Sequence, residues 1–145
     1  MNREIKFRGK SVYADVWVYG YIQFSKDKSS AWICESKEDD WTVKKQFPVI
    51  PETVGQYTGL KDKNGKEIYE GDILGVNTSI EYEYVVEWNE NNCCFTSIQG
   101  GIDNLIGDID SEINFHLLSN MRLDLCDVIG NIYDNPELLE EEHEN

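Results

Sequence analysis

Strict two-residue alternation of side-chain character is the feature that most constrains this chain. Along Val12–Phe24 one set of alternate positions reads Val12, Ala14, Val16, Val18, Gly20, Ile22, Phe24. The other set reads Tyr13, Asp15, Trp17, Tyr19, Tyr21, Gln23. Glu81–Trp88 repeats the pattern, with Tyr82, Tyr84, Val86 and Trp88 against Glu81, Glu83, Val85 and Glu87. Arg3–Arg8 does so more briefly, with Ile5 and Phe7 against Glu4, Lys6 and Arg8. Successive side chains point to opposite faces of a strand, whereas a helix brings positions three and four apart together. The alternation therefore predicts an all-β or β-dominated α+β chain built from antiparallel hairpins. Val12–Phe24 would be a long strand or a hairpin broken near Gly20, with an aliphatic and an aromatic face.

Turn chemistry divides the remaining strands. Asn64-Gly65 is the preferred pair for a type I′ hairpin, in which both central residues need positive φ. A second turn is expected at Glu70-Gly71-Asp72, before a strand over Ile73–Val76. Short strands are expected at Ala31–Cys34 and over Trp41–Ile50, the latter ended by Pro48 and Pro51. Asn89–Asn92 would turn the chain into a partner strand, Cys93–Ile98. Leu123–Tyr133 reads as a final strand with a bulge at Gly130. Two short helices are expected. One spans Ser111–Leu118, where Ile109, Ile113 and Leu117 recur at helical spacing. The other spans Pro136–Glu142, where Asn135 caps and Pro136 takes the first helical position.

The 145 residues suit one domain, expected over 1–139, with an acidic and disordered tail at 140–145. The charges in Met1–Arg8 are unlike an apolar secretory segment. No apolar run approaches the roughly 20 residues of a membrane span. The expectation is a protein that stays in the cytoplasm of the cell that makes it and does not engage membranes. Cys34, Cys93, Cys94 and Cys126 form no C-x-x-C pair, so neither a zinc site nor a disulfide is expected. The net charge of −15 is one-sided. Residues 1–72 carry 12 basic and 12 acidic side chains, and residues 73–145 carry Arg122 alone against 16 acids. Such a field disfavours nucleic acid and favours basic partners.

Three blocks, in order, carry a family resemblance. They are Arg3-Glu4-Ile5-Lys6-Phe7-Arg8-Gly9, the stretch Val54–Ile73 around Gln56-Tyr57-Thr58-Gly59 and Asn64-Gly65, and Asp127–Leu139. Together they resemble the YopX family of phage and prophage proteins over nearly the whole chain. The resemblance implies a mainly β fold with a small barrel-like sheet. It carries over no catalytic residue and no cofactor. Its motif turns fall on Gln56, Tyr57, Thr58, Gly59, Asp62, Asn64, Gly65, Glu70, Gly71 and Asp72.

Catalytic constellations are sparse. His116 and His143 are the two histidines, and nothing in the spacing places a cysteine beside His116. Asp62, Glu67, Glu70 and Asp72 cluster at two turns, where paired acids could serve a metal or a hydrolytic reaction. Asp in a turn more simply accepts local backbone N–H bonds. Asp108-x-Asp110-x-Glu112 begins like a calcium loop, but Ile113 and Ser119 stand where Gly and Glu are required. No phosphate-binding loop occurs. The reading is a phage accessory protein, non-enzymatic, that binds a host or phage protein. Its candidate contacts are an acidic face of Glu81, Glu83, Glu87, Asp108, Asp110 and Glu112, which could mimic DNA phosphates. The alternatives are a single-stranded nucleic-acid binder using the basic and aromatic N-terminal strands, and a carboxylate-dependent metal enzyme. An exposed aromatic face would also allow a homo-oligomer.

Overall fold

The β-branched and aromatic runs form strands because such side chains fit a pleated, half-buried surface. The computed structural model describes residues 4–35, 45–77, 81–90, 93–99, 115–117 and 123–139. Its strands are β1 (Phe7–Lys10), β2 (Trp17–Phe24), β3 (Ala31–Glu35), β4 (Lys45–Val49), β5 (Gly55–Lys61) and β6 (Glu67–Tyr69). They continue as β7 (Asp72–Asn77), β8 (Glu81–Asn89), β9 (Cys94–Gln99), β10 (Phe115–Leu117) and β11 (Cys126–Asn131). Short 3-10 turns lie at Pro51–Thr53, Leu123–Leu125 and Pro136–Leu139. The strands form two sheets, ordered β4-β3-β2-β1-β5-β6 and β10-β9-β8-β7-β11. The chain divides into two units, Met1–Gly59 and Leu60–Asn145.

In the first unit β1 and β2 pair antiparallel from Phe7–Gly20 to Lys10–Trp17. β2 pairs with β3 from Tyr21–Cys34 to Phe24–Ala31, and β3 with β4 from Ala31–Val49 to Glu35–Lys45. One face of this sheet is the core. Val18, Ala31, Ile33 and Val49 are buried on it, with Phe7, Ile22, Phe47 and Val54 packed around them. Each such side chain contributes about 1.5–3 kcal/mol by leaving water. The strands curl until Val49 bridges Ser11, and the Ile50 N–H donates to the Lys10 carbonyl. Gly20 sits where the backbones crowd. A Cβ there would lie 2.2 Å from the Cys34 carbonyl oxygen, so no larger residue fits between β2 and β3.

In the second unit β8 is central, paired with β7 and β9. Ile68, Leu74 and Val86 are the buried cluster, flanked by Leu60, Tyr84, Phe95, Leu123 and Val128. β11 pairs with β7 through a shift of register between Val128 and Gly130, the bulge expected at Gly130.

Several expectations need correction. The sheets are open and do not close into a barrel; each ends in edge strands, β4 and β6 in one, β10 and β11 in the other. The run Val12–Phe24, read as a long strand or a hairpin broken near Gly20, is a single strand through Gly20 that starts only at Trp17. Val12–Val16 is an exposed connection, because the Ser11 N–H bonds to the Val16 carbonyl and closes a loop instead of extending a ladder. β1 begins at Phe7 rather than Arg3. Residues 115–117, expected in a helix, are β10 and pair with β9 from Phe115–Ile98 to Leu117–Thr96. Ladder bonds to β9 override a weak local helical spacing there. The rest of Ser111–Leu118, the 140–145 tail and Trp41 lie outside the described residues. At Pro136 the helix is a single 3-10 turn, Pro136–Leu139.

Candidate functional site

The motif block builds a hairpin around one carboxylate. Asp62 is 7% exposed. Its Oδ1 accepts the N–H groups of Asn64 at 2.8 Å and Lys66 at 2.9 Å. Its Oδ2 accepts the N–H of Val128 at 2.9 Å, 66 residues away within β11 and beside its register shift. Burial disfavours the ionised form, but the Val128, Lys66 and Asn64 hydrogen bonds outweigh it and the Lys66 charge adds to them. The carboxyl therefore titrates below its ordinary value. The turn is not type I′. Gly65 alone is left-handed at φ 81°, and Asn64 is not among the residues with positive φ. The Gly65 N–H donates to the Asp62 carbonyl, and the Asp62 N–H to the Lys66 carbonyl. This is a type I turn closed by a left-handed glycine, which Asp62 favours because its side chain caps the turn from within.

Neighbouring motif residues are similarly committed. Asn64 Nδ2 donates to Asp127 Oδ1 at 2.6 Å, and Lys63 Nζ lies 3.0 Å from Asp127 Oδ2. Asp72 is buried and accepts the Tyr69 N–H at 2.7 Å across the Glu70-Gly71 turn. The Gly71 N–H donates to the Val86 carbonyl, and its carbonyl accepts from Ile132. In the first unit Gln56 pairs with Phe7, while Tyr57 and Thr58 are buried and Gly59 has φ 86°. Asp62 and Asp72 thus bind backbone donors within the fold. Among the described residues no three His, Cys, Asp or Glu side chains are grouped to hold a metal ion.

The acidic face is seen in part. Glu87 is exposed, opposite Thr96, and Glu83 is half-buried, opposite Gly75. Glu81 stands opposite Asn77 in the register of β7 and β8. Asp108, Asp110 and Glu112 lie outside the described residues. His116 stands on β10 opposite Ser97. Cys126 is buried, and burial, with Asp124, Asp127 and Asp62 nearby, raises its thiol above the ordinary value and keeps it protonated.

The more developed surface is the outward face of the first sheet, opposite its core. Tyr19 is 46% exposed and Tyr21 57% exposed. Across the ladders Lys10 stands opposite Trp17, Arg8 opposite Tyr19, Cys34 opposite Tyr21 and Trp32 opposite Gln23. The Arg8 guanidinium lies 4.7 Å from the Trp17 ring centre, and Lys6 Nζ lies 5.3 Å from that of Tyr57. These cation–π contacts fix the rings in place. Tyr13, expected on this face, is 83% exposed but belongs to the connection before β2.

Sequence reasoning missed a second turn network. Asn131 Oδ1 accepts the N–H groups of Tyr133 and Asp134, and Asn135 Oδ1 accepts that of Asn131. The signal present was the run Asn131-Ile132-Tyr133-Asp134-Asn135, since Asn and Asp side chains close such turns.

A family model described as YopX protein matches residues 6–140 of the chain. The chain is also similar to a crystal structure of protein EF1440 from Enterococcus faecalis, with 23% identity and a TM-score of 0.54. That likeness covers 94% of this chain and 99% of the other, and it concerns the fold. No curated protein matches the chain.

Proposed function

The chain belongs to the phage-type YopX family, and from that premise we propose that it is a non-enzymatic binding protein whose contact surface is the outward face of the first sheet. One observation carries this reading: Tyr19 and Tyr21 are exposed side by side on β2, opposite the buried Val18 and Ile33 core. Exposed neighbouring aromatics cost solvation, and interfaces are enriched in them. Basic side chains of the first unit stand near them, Lys10 across from Trp17 and Lys26 and Lys28 in the loop after β2. The test is a comparison of tagged wild-type protein with a Tyr19→Ala/Tyr21→Ala variant in recovery from bacterial lysate. A partner held by the wild type and lost by a variant of unchanged melting temperature supports the reading. Identical recoveries by the two proteins sink it.

A second reading rests on charge. Residues 60–145 carry 20 acidic and 4 basic side chains. Glu87 and Glu83 lie on one side of β8, a rigid central strand. Such a face suits a basic partner such as a DNA-binding protein. Glu83→Lys/Glu87→Lys would then abolish capture of that partner, and high salt would do the same. Capture indifferent to both would remove this reading.

A further inference from the structure

We propose that the occupant of the first sheet's outward face is single-stranded nucleic acid, an inference that rests on the binding role given to that face above. Tyr19 and Tyr21 are two residues apart on one strand, hence roughly 6.6–6.8 Å apart along it. That spacing lets each ring take a base of an extended strand, while a duplex keeps its bases stacked on one another. Half-buried Trp17 and Trp32 extend the aromatic row to either side of the ladder.

The basic groups follow the row. Lys10, its side chain 20% exposed, is cross-strand from Trp17; Arg8, cross-strand from Tyr19, is buried against the Trp17 ring and holds that ring rather than a phosphate. Lys26 and Lys28 are exposed in the loop just beyond Phe24, at the far end of β2. Lys6 pairs with Glu4 and Lys10 with Asp15, the lysine side chains being 24% and 20% exposed and the acids 62% and 88%. The acids of these pairs lie in solvent, so the pairs are weak and a phosphate could replace the carboxylate. Asp27 opposes the lysines of its loop, and it is the one acid there; Ser25 and Ser29 hydroxyls and the Ser29 N–H already donate to its Oδ1.

The net charge of −15 does not decide the matter, because it is not spread evenly. Residues 1–59 carry 9 basic and 8 acidic side chains, so the unit bearing the aromatic face is near neutral. Stacking on aromatics supplies affinity that does not depend on net charge. The combination predicts modest affinity, a small salt slope and indifference to base sequence.

The experiment is fluorescence anisotropy of labelled oligo-dT and oligo-rU of about 20 nucleotides with the full chain, with a duplex of equal length as the comparison. Both single strands are expected to bind at low salt and the duplex at least tenfold more weakly. Tyr19→Ala/Tyr21→Ala should weaken single-strand binding by tenfold or more, and Tyr19→Phe/Tyr21→Phe should keep it, since the stacking face survives. Lys26→Ala/Lys28→Ala should flatten the salt dependence. Absence of binding at low salt, equal affinity for the duplex, or binding untouched by the Tyr→Ala pair would each overturn the inference. If oligonucleotides fail while the Tyr→Ala pair still loses a protein partner, or abolishes a dimer seen by sedimentation, the face is a protein contact and only the nucleic-acid assignment falls. If the pair changes none of these, the binding role of the face falls as well.

Discussion

Asp62 shows how much one side chain can hold. Its two oxygens take three backbone N–H groups, two in its own turn and one on β11. Replacing it with Ala would orphan all three donors beside a buried site. Hydrogen bonds to charged groups are worth about 1.5–3 kcal/mol, and water would recover part of the loss for the turn donors. Asp62→Ala should therefore cost about 2–4 kcal/mol at neutral pH, measured by urea unfolding. Asn at 62 should lie close to Ala, since its amide would turn one N–H donor toward another. The pH dependence has a definite sign. The folded carboxyl titrates below the ordinary value of 3.8, so its contribution is complete above that pH. It fades as pH falls through the depressed folded value. The gap between wild type and Asp62→Asn should accordingly shrink below about pH 4. A gap that stayed constant down to the acid transition would mean that the contribution is not ionic.

Elements differ in how firmly their sequence specified them. Gly20 and Gly65 make the contrast measurable. At Gly20 an added Cβ meets the Cys34 carbonyl at 2.2 Å, and backbone cannot move aside without parting β2 from β3. At Gly65 nothing lies within 4 Å, and the cost of Ala is that of a left-handed φ, about 1–2 kcal/mol. Gly20→Ala should destabilise by clearly more than Gly65→Ala, or prevent folding; the reverse order in thermal melts would contradict the close strand approach. The period-two pattern made β2 and β8 legible, together with which residues share each face. It did not say which face of β2 lies inside, because both Val18-Ile22 and Trp17-Tyr19-Tyr21 are apolar enough to be a core. Only the packing of Ile33 and Val49 against Val18 decides it. The Asn64-Gly65 turn was legible in place but not in type, since the deciding bond comes from Asp62. The reach of Asp62 to Val128 spans 66 residues and leaves no local trace. β10 was misread because three residues on a helical spacing are weak evidence against a ladder supplied by β9.

At the scale of the molecule the charge division has a thermodynamic consequence. Salt acts on two opposing populations of interactions. It weakens ion pairs such as Lys6–Glu4, Lys10–Asp15 and Lys63–Asp127, all partly open to solvent and worth about 0–1 kcal/mol. It also relieves repulsion among like charges, which compact folding brings closer together than the unfolded chain does. In residues 1–59 the two signs nearly balance, so the terms roughly cancel there. In residues 60–145, 20 acids stand against 4 basic groups, so like charges far outnumber opposite ones. Repulsion should dominate the sum. Raising NaCl from about 20 to 300 mM shortens the Debye length from roughly 20 to 6 Å, so that only near neighbours still repel. The melting temperature should rise over that range by about 2–6 °C, equivalent to about 1–2 kcal/mol for a chain of this size. Lysine substitutions at Glu83 and Glu87 should reduce the rise, because they remove part of the repulsion in advance. A melting temperature that stays level or falls with salt would show that the few ion pairs outweigh the excess of acids. The acidic half would then be stabilised by its pairs rather than burdened by its charge.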